Sequence, residues 1–160
     1  MTNLKNSLLA GFAFGLIFSL FLVFLVGSQQ ALGGGLLAGL VFGGLLYVFL
    51  NSKRVQQQTA LTSQAQQLVI REGMANHFSQ GEAAGGKLYL LYNQLYFKSH
   101  QYNFQNHELV IPLTHIKGVQ FFNTLGLIPN GLEILTHSGI KERFVVNGRR
   151  KWKEAILSLI

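Results

Sequence analysis

The sequence predicts a two-helix transmembrane hairpin, followed by a mainly-β domain that a C-terminal helix caps. Three observations predict this fold class. The chain opens with two apolar runs, each about as long as a membrane span and free of charged residues. From about residue 68 onward, short β-rich runs alternate with turn residues. The last ten residues or so form an amphipathic helical pattern.

The two apolar runs cover about residues 8–26 and 31–50. Each has the length that an α-helix needs to cross a hydrocarbon layer of ~30 Å. A backbone in lipid must satisfy its hydrogen bonds within its own segment, so both runs are predicted to be helices. Residues 27–30 separate them and are few enough to make the helices antiparallel. A cleaved signal peptide is the alternative, but its apolar region is usually shorter than this first run.

The cations flanking the two runs predict an orientation. Lys5 precedes the first run, Lys53 and Arg54 follow the second, and the connecting turn carries no charge. Basic residues next to membrane spans are retained on the cytoplasmic side. We therefore expect an integral, multi-pass membrane protein, with both termini and the domain after residue 50 in the cytoplasm.

Small residues recur at every fourth position along both apolar runs, which lets helix backbones approach closely in lipid. Either the two stripes pack on each other within one hairpin, or a stripe faces another copy and forms a homo-oligomer. The stripe residues are Ser7, Gly11, Gly15 and Ser19 in the first run and Ala31, Gly35, Gly39 and Gly43 in the second. A pore is not expected, because neither run contains an ionisable residue.

Residues 51–67 connect the hairpin to the β-rich part of the chain. They are rich in Gln and contain neither Gly nor Pro. Leu61, Ala65 and Leu68 recur at helical spacing, which favours a stiff stalk continuing the second membrane helix. A polar linker is the alternative, because this apolar stripe is weak.

Residues 68–160 are predicted to form one domain of about seven strands and a closing helix. The predicted strands are Leu68–Phe78, Lys87–Tyr92, Gln94–Ser99, Glu108–Leu113, Ile116–Phe122, Leu132–Thr136 and Lys141–Val146. Turns are predicted at Asn93-Gln94, Pro129-Asn130-Gly131 and Ser138-Gly139. Pro112 indicates an edge strand, because proline cannot donate to a central ladder.

The closing helix is predicted from a capping residue and an apolar face. Asn147 is a plausible N-cap. The apolar face consists of Trp152, Ala155, Ile156 and Leu159, at the spacing of successive helical turns. This face is expected to pack on the sheet.

Short segments of this domain resemble, in the same order, the motifs of the GRAM domain family. They are Glu72–Phe78, Gly85–Leu90, Leu95–His100, Ile111–Leu113, Gly131–Ile134, and Phe144–Val146 before Trp152. The resemblance covers about residues 68–158 and does not include the hairpin. It implies the pleckstrin-homology-like (PH-like) fold of two orthogonal sheets and a C-terminal helix. It also implies peripheral binding of lipid headgroups or of protein partners at membranes.

No catalytic constellation is found in the sequence. Residues 81–87 match the glycine and lysine spacing of a P-loop, but Leu88 stands where its hydroxyl residue belongs, and the chain has no Asp. That segment is therefore predicted to be a loop between strands. The chain also lacks Cys, which excludes thiolate metal sites and a Cys nucleophile. We expect no enzyme activity and no cofactor.

The five histidines also give no sign of a metal site. They are His77, His100, His107, His115 and His137. They lie in different segments, and none has the spacing of a zinc protease, so each is predicted to lie on the surface or in a turn. Nucleic-acid binding is not expected either, because no stripe of alternating basic and aromatic residues is present.

Basic residues crowd the first turns of the predicted C-terminal helix. They are Arg149, Arg150, Lys151 and Lys153. A helix N-terminus favours anions, so these cations predict a site for a lipid phosphate or another anion. The alternative is an ordinary solvated face whose small electrostatic cost other contacts offset. Lys87 and Lys98, near strand ends, are further candidates for anion binding.

Leu125, Leu127 and Ile128 lie in a predicted loop, where apolar residues are unexpected. Either they fold back on the core, or they contact the membrane interface or a protein partner.

Two functions remain open at this point. The first is a non-enzymatic adaptor that binds lipid headgroups or the membrane surface on the cytoplasmic side, held at high effective concentration by the hairpin. The second is an anchored protein-interaction module that recruits a partner, with lipid contact incidental. Basic residues grouped at one end favour the first function, whereas a neutral groove beside an open strand edge favours the second.

Overall fold

The computed structural model describes residues 2–62, 66, 68–79, 81–103 and 106–160. The chain divides into two compact units, Met1–Gln57 and Gln58–Ile160. The first unit contains a helical hairpin, and the second, which we call the β-domain, contains a seven-stranded sheet and a helix.

The hairpin consists of helix α1 (Thr2–Val26) and helix α2 (Ser28–Leu50). Gly27 alone separates them, with a φ of 83°, in the left-handed region that glycine enters without steric cost. The reversal is therefore tighter than the predicted four-residue turn. Within these helices, Asn3–Leu25 and Gln30–Leu50 are long and apolar enough to cross a membrane, by length and composition.

The two small-residue stripes pack against each other within this hairpin. A Cβ atom on Gly11 would lie 2.6 Å from the carbonyl oxygen of Gly39, and one on Gly15 would lie 2.8 Å from that of Gly35. A larger residue would push the helices apart, because side-chain atoms do not approach a backbone so closely. In this structure the two stripes face each other within one hairpin, and the homo-oligomer stays a prediction.

Helix α2 does not continue as an unbroken stalk, because Asn51 and Ser52 interrupt it before a short helix α3 (Lys53–Gln58). The side-chain amide of Asn51 donates to the carbonyl of Tyr47 at 2.8 Å, and the Ser52 hydroxyl accepts from the amide of Val55 at 3.3 Å. Both side chains thus compete with helix continuation, as capping residues do. Ala65, one of the residues that favoured the stalk, lies outside the described residues.

The β-domain confirms the predicted fold class, a curled antiparallel sheet with a C-terminal helix. Its strands are β1 (Val69–Ser79), β2 (Glu82–Leu91), β3 (Gln94–Ser99), β4 (Glu108–Pro112), β5 (Ile116–Thr124), β6 (Ile128–Thr136) and β7 (Lys141–Val146). The strand order is β4-β3-β2-β1-β7-β6-β5. The 3₁₀ turn Leu113–His115 joins the two outermost strands, so the sheet must curl to bring those strands together.

Helix α4 (Arg149–Leu157) packs on β5 and β6 with the face that its spacing predicts. Trp152 and Ile156 are buried in the core, and Ala155 and Leu159 pack partly against it. The core cluster lies entirely between residues 75 and 156. The β-domain therefore has a core of its own, and we expect it to fold without the hairpin.

The predicted turn at Pro129-Asn130-Gly131 is wrong, because these residues lie in β6. The register between β5 and β6 shifts near this point, so Pro129 falls outside the regular pairs and needs no backbone donor. The chain instead reverses at Leu125–Leu127, where Leu125 and Gly126 have φ values of 54° and 74°.

Several other element boundaries also differ from the sequence prediction. Gly148, with a φ of 69°, is the N-cap of α4 in place of Asn147. Gln94 is the first residue of β3, so the preceding turn lies at Tyr92 and Asn93. Most of the predicted loop at residues 81–87 belongs to β2. The turn at Ser138-Gly139 is confirmed.

Candidate functional site

The far end of the β5–β6 hairpin lies beside the first turn of α4. Nη1 of Arg149 donates to the carbonyl oxygen of Phe122 at 2.7 Å and to Oδ1 of Asn123 at 3.1 Å. The guanidinium carbon of Arg149 also lies 4.7 Å from the ring centroid of Phe121, and Nζ of Lys153 lies 4.9 Å from the same centroid. The basic residues and the apolar loop, which are separate features in the sequence, therefore belong to one surface.

We call Arg149, Arg150, Lys151 and Lys153 the basic cluster. Arg150 and Lys151 are exposed, and Glu154 is the acidic residue next to them on the helix. The N-cap of α4, Gly148, has no side chain that accepts hydrogen bonds from the first-turn amides. Cations oppose the helix dipole here, but the contacts of two of them with Phe121 offset that cost. The surface is well suited to attract an anion.

We call Leu125, Leu127 and Ile128 the apolar tip. Their exposed fractions are 86%, 83% and 47%. Of the two alternatives for these residues, the one in which they fold back on the core is therefore wrong. The chain reverses within three residues, which leaves no length of loop to return over the sheet. An exposed apolar group next to a basic cluster is a candidate contact surface.

Lys87 and Lys98 do not join the basic cluster. They are paired with each other across β2 and β3, which β1 and β7 separate from the β5–β6 hairpin in the sheet. Each has an acidic partner: Nζ of Lys87 lies 2.9 Å from Glu72, and Nζ of Lys98 lies 3.5 Å from Glu108. Their charges are thus largely balanced locally.

Arg71 is a further cation at the start of α4 that the sequence does not single out. Its guanidinium carbon lies 5.1 Å from the ring centroid of Trp152. Its Nε is buried and has no hydrogen-bond partner among the described residues. Arg71 lies at the beginning of β1, far from α4 in sequence, so only the tertiary fold brings it to this place.

Two of the histidines, His77 and His100, are buried. A third, His107, lies close to His77. His77 is 3% exposed, and its Nε2 lies 2.8 Å from a carboxylate oxygen of Glu142. Its Nδ1 lies 2.8 Å from Nε2 of His107. His100 is also buried. The chain of bonds through His77 satisfies a buried polar group. Among the described residues, no group of three or more His and Glu side chains could hold a metal ion.

We expect His100 to make the stability of the β-domain depend on pH. Burial lowers the pKa of His100 from its ordinary value of 6.5. The unfolded chain therefore binds a proton at a higher pH than the folded chain does. We expect the contribution of His100 to the free energy of unfolding to fall as the pH drops below about 6.5, and to level off below the folded pKa of His100.

Urea unfolding of Gln58–Ile160 at pH 7.5 and pH 5 measures this change. A His100→Gln variant should lose part of the pH dependence, and His137→Gln, at an exposed position, is the matched control. An equal pH dependence in the wild type and in His100→Gln would contradict the assignment.

Comparisons with known proteins concern the β-domain's fold. No family model matches the sequence, and no curated protein matches it. The C-terminal domain of an unknown protein from Leishmania infantum is similar, with a TM-score of 0.50, 16% identity, and coverage of 57% of this chain and 82% of that chain.

Two structures that contain PH domains are also similar. The Slm1-PH domain in complex with phosphoserine has a TM-score of 0.45 and 12% identity, over 56% of this chain and 92% of that chain. The DH/PH domains of p115-RhoGEF have a TM-score of 0.46 and 13% identity, over 82% of this chain and 46% of that chain. At these identities the likeness is one of fold alone. The seven-stranded antiparallel sheet and the C-terminal helix of the β-domain are themselves consistent with a PH-like fold.

Proposed function

We propose that this chain is a membrane-anchored, non-enzymatic module whose β-domain binds anionic lipid headgroups at the cytoplasmic surface of the membrane. The observation that carries the proposal is the basic cluster, which lies beside an exposed apolar tip on one surface. A surface of this composition fits an interface whose outer layer is anionic and whose inner layer is apolar.

The hairpin supports the anchoring part of the proposal. Apart from the seam of small residues, its helices carry large apolar side chains that are exposed, such as Leu20, Leu32 and Leu36. Lipid is the solvent in which such a surface is stable. The cations Lys5, Lys53 and Arg54 flank the spans, and the positive-inside rule then assigns the β-domain to the cytoplasm.

The expected energies are sufficient for a tethered domain. Each Lys or Arg near an anionic leaflet contributes about 1 kcal/mol, so the basic cluster supplies on the order of 4 kcal/mol. That is weak binding for a free protein. A short tether gives an effective concentration in the millimolar range, at which weak binding suffices. The resemblance to GRAM domains supports the same class of ligand.

A second candidate function is an anchored protein-interaction module. A groove of about 390 Å³ lies along β4 and the β6–β7 turn, with Val110, Pro112 and Ile140 among its lining residues. Strand β4 ends the sheet order, so its outer edge pairs with no other strand among the described residues. An extended peptide could add to such an edge, although Pro112 offers no backbone donor.

Charge reversal separates the two functions. We expect Arg150→Glu/Lys151→Glu in Gln58–Ile160 to weaken binding to vesicles containing phosphatidylserine by at least about tenfold, because two attractive charges become repulsive. Both residues are exposed, so the fold should be retained. Vesicle co-sedimentation with a lipid titration measures the change.

Lys117→Glu/Lys141→Glu is the matched control for that experiment. It makes the same change in formal charge, at exposed residues near the beginning of β5 and β7, the ends away from the apolar tip. Equal losses in both variants would indicate a net-charge effect without a site. An absence of vesicle binding by the wild type would favour the interaction module.

A further inference from the structure

We propose that the apolar tip inserts into the interfacial layer of the bilayer, between headgroups and acyl chains, while the basic cluster stays at headgroup depth. This inference rests on the proposed function and adds to it a mode of binding. The domain would then recognise two properties of a membrane together, its negative charge and the accessibility of its hydrocarbon.

Leu125 and Leu127 have the highest exposed fractions among the large apolar side chains described in the β-domain. Isolated leucines on a surface need no explanation, but these two flank a single glycine at the end of one hairpin, and Ile128 follows directly. Together they form one apolar projection.

The backbone at the tip has a conformation that is unusual for leucine. Leu125 is the one described residue other than glycine with a positive φ, at 54°. L-residues with a Cβ are disfavoured there, and glycine or asparagine is the usual occupant. Leucine at position 125 is thus disfavoured both by its exposure and by its backbone conformation. Because the side chain of Leu125 is 86% exposed, it contributes little to the core, and we expect its contribution to lie in contact with something outside the fold.

The tip is also held in place. Oγ1 of Thr124 donates to Oδ1 of Asn130 across the base of the turn at 2.6 Å. Arg149 binds the preceding residues Phe122 and Asn123 from α4. A held hairpin presents its leucines without a large ordering cost on binding.

The charges around the tip identify the occupant as a lipid surface. Arg149 and Lys153 lie against the ring of Phe121, which is 41% exposed, on the same hairpin. Long basic side chains next to apolar residues can keep their charge at the headgroups while the apolar residues enter the acyl boundary. An acidic peptide would match the cations and leave the leucines in water, and an apolar protein surface would leave the cations unmatched.

Tryptophan quenching tests the insertion directly. The chain has one tryptophan, Trp152, which is 1% exposed and serves as an internal reference. We expect the fluorescence of Leu127→Trp in Gln58–Ile160 to be quenched by at least about twofold more in phosphatidylserine vesicles with brominated acyl chains than in the same vesicles without bromine. The wild type should show little difference.

Ile140→Trp is the matched control. Ile140 is an exposed apolar residue in the β6–β7 turn, at the opposite end of β6 from the tip. A strand of nine residues separates the two positions by roughly 30 Å. We expect no added quenching at position 140. Equal quenching at positions 127 and 140, or none at 127 while the protein co-sediments, would overturn the insertion and leave the proposed function intact.

A second variant tests the insertion through its effect on vesicle binding. Leu125→Asn/Leu127→Asn should lower vesicle binding by about tenfold, while the urea midpoint stays the same or rises because asparagine tolerates the positive φ. Full binding by this variant would overturn the insertion. A wild type that fails to bind anionic vesicles at all would overturn the proposed function and the insertion with it.

Discussion

Replacing Trp152 with alanine is expected to reduce the free energy of unfolding of the β-domain by about 3–5 kcal/mol. Trp152 belongs to the core and is almost fully buried, and its ring also lies beside the guanidinium of Arg71. The substitution removes the largest side chain that α4 contributes and leaves a cavity. Since small domains are stable by only about 5–15 kcal/mol, the loss is a large share of the total.

Urea unfolding of Gln58–Ile160, followed by circular dichroism, measures this loss. Leu157→Ala, at an exposed position on the same helix, is the matched control and should cost less than about 1 kcal/mol. A similarly small loss for Trp152→Ala would mean that α4 is not packed on the sheet as described.

Replacing Gly39 with leucine is expected to separate the two helices of the hairpin. A Cβ at position 39 would lie 2.6 Å from the carbonyl oxygen of Gly11 and 3.1 Å from the Cα of Gly15, so the whole side chain has no space. Close packing is what holds helices together in lipid, and we therefore expect the seam to open. Gly44→Leu is the matched control, because a Cβ at position 44 meets nothing within 4 Å.

Disulfide cross-linking measures whether the two helices remain packed along the seam of small residues. The chain contains no Cys, so a pair can be introduced without interference. Because Gly11 faces Gly39 and Gly15 faces Gly35, the register sets Ser19 opposite Ala31, and cysteines at these two positions should link within one chain. Gly39→Leu should slow this reaction strongly. An unchanged rate would contradict the seam, and cross-links between chains would favour the predicted homo-oligomer.

The two helices of the hairpin could be predicted because their signals are local. The stripe of small residues from Ser7 to Ser19 fixes one face of α1 by its spacing alone, and the corresponding stripe fixes the facing side of α2. The strands Gln94–Ser99 and Lys141–Val146 agree with the prediction at both ends. Clear turn residues lie next to each of them, so neighbouring sequence is enough.

Other features depend on the pairing of strands, which the local sequence does not reveal. Pro129-Asn130-Gly131 has the composition of a turn, but a shift in the register between β5 and β6 accommodates proline in a strand. The second helix is interrupted at Asn51 and Ser52. Both are capping residue types, so the local sequence indicates a helix end here. The absence of Gly and Pro from this segment favours an unbroken helix instead.

The sequence predicts the residues of the candidate site, but it does not predict that they lie on one surface. The basic cluster and the apolar tip are each visible in the sequence. Arg149 and Phe122, however, are 27 residues apart, and only the packing of α4 beside the β5–β6 hairpin joins the two features. The same holds for His77 and Glu142, which are 65 residues apart. Contacts between residues so far apart in the sequence can be identified only from the tertiary structure.

Vesicle flotation of Gln58–Ile160 tests the central claim, that this domain binds an anionic membrane surface, most directly. The domain should float with vesicles that contain phosphatidylserine and remain below with pure phosphatidylcholine. Its recovery should fall as salt is raised, because ions screen the basic cluster. No recovery with anionic vesicles, or equal recovery with neutral ones, would contradict the claim.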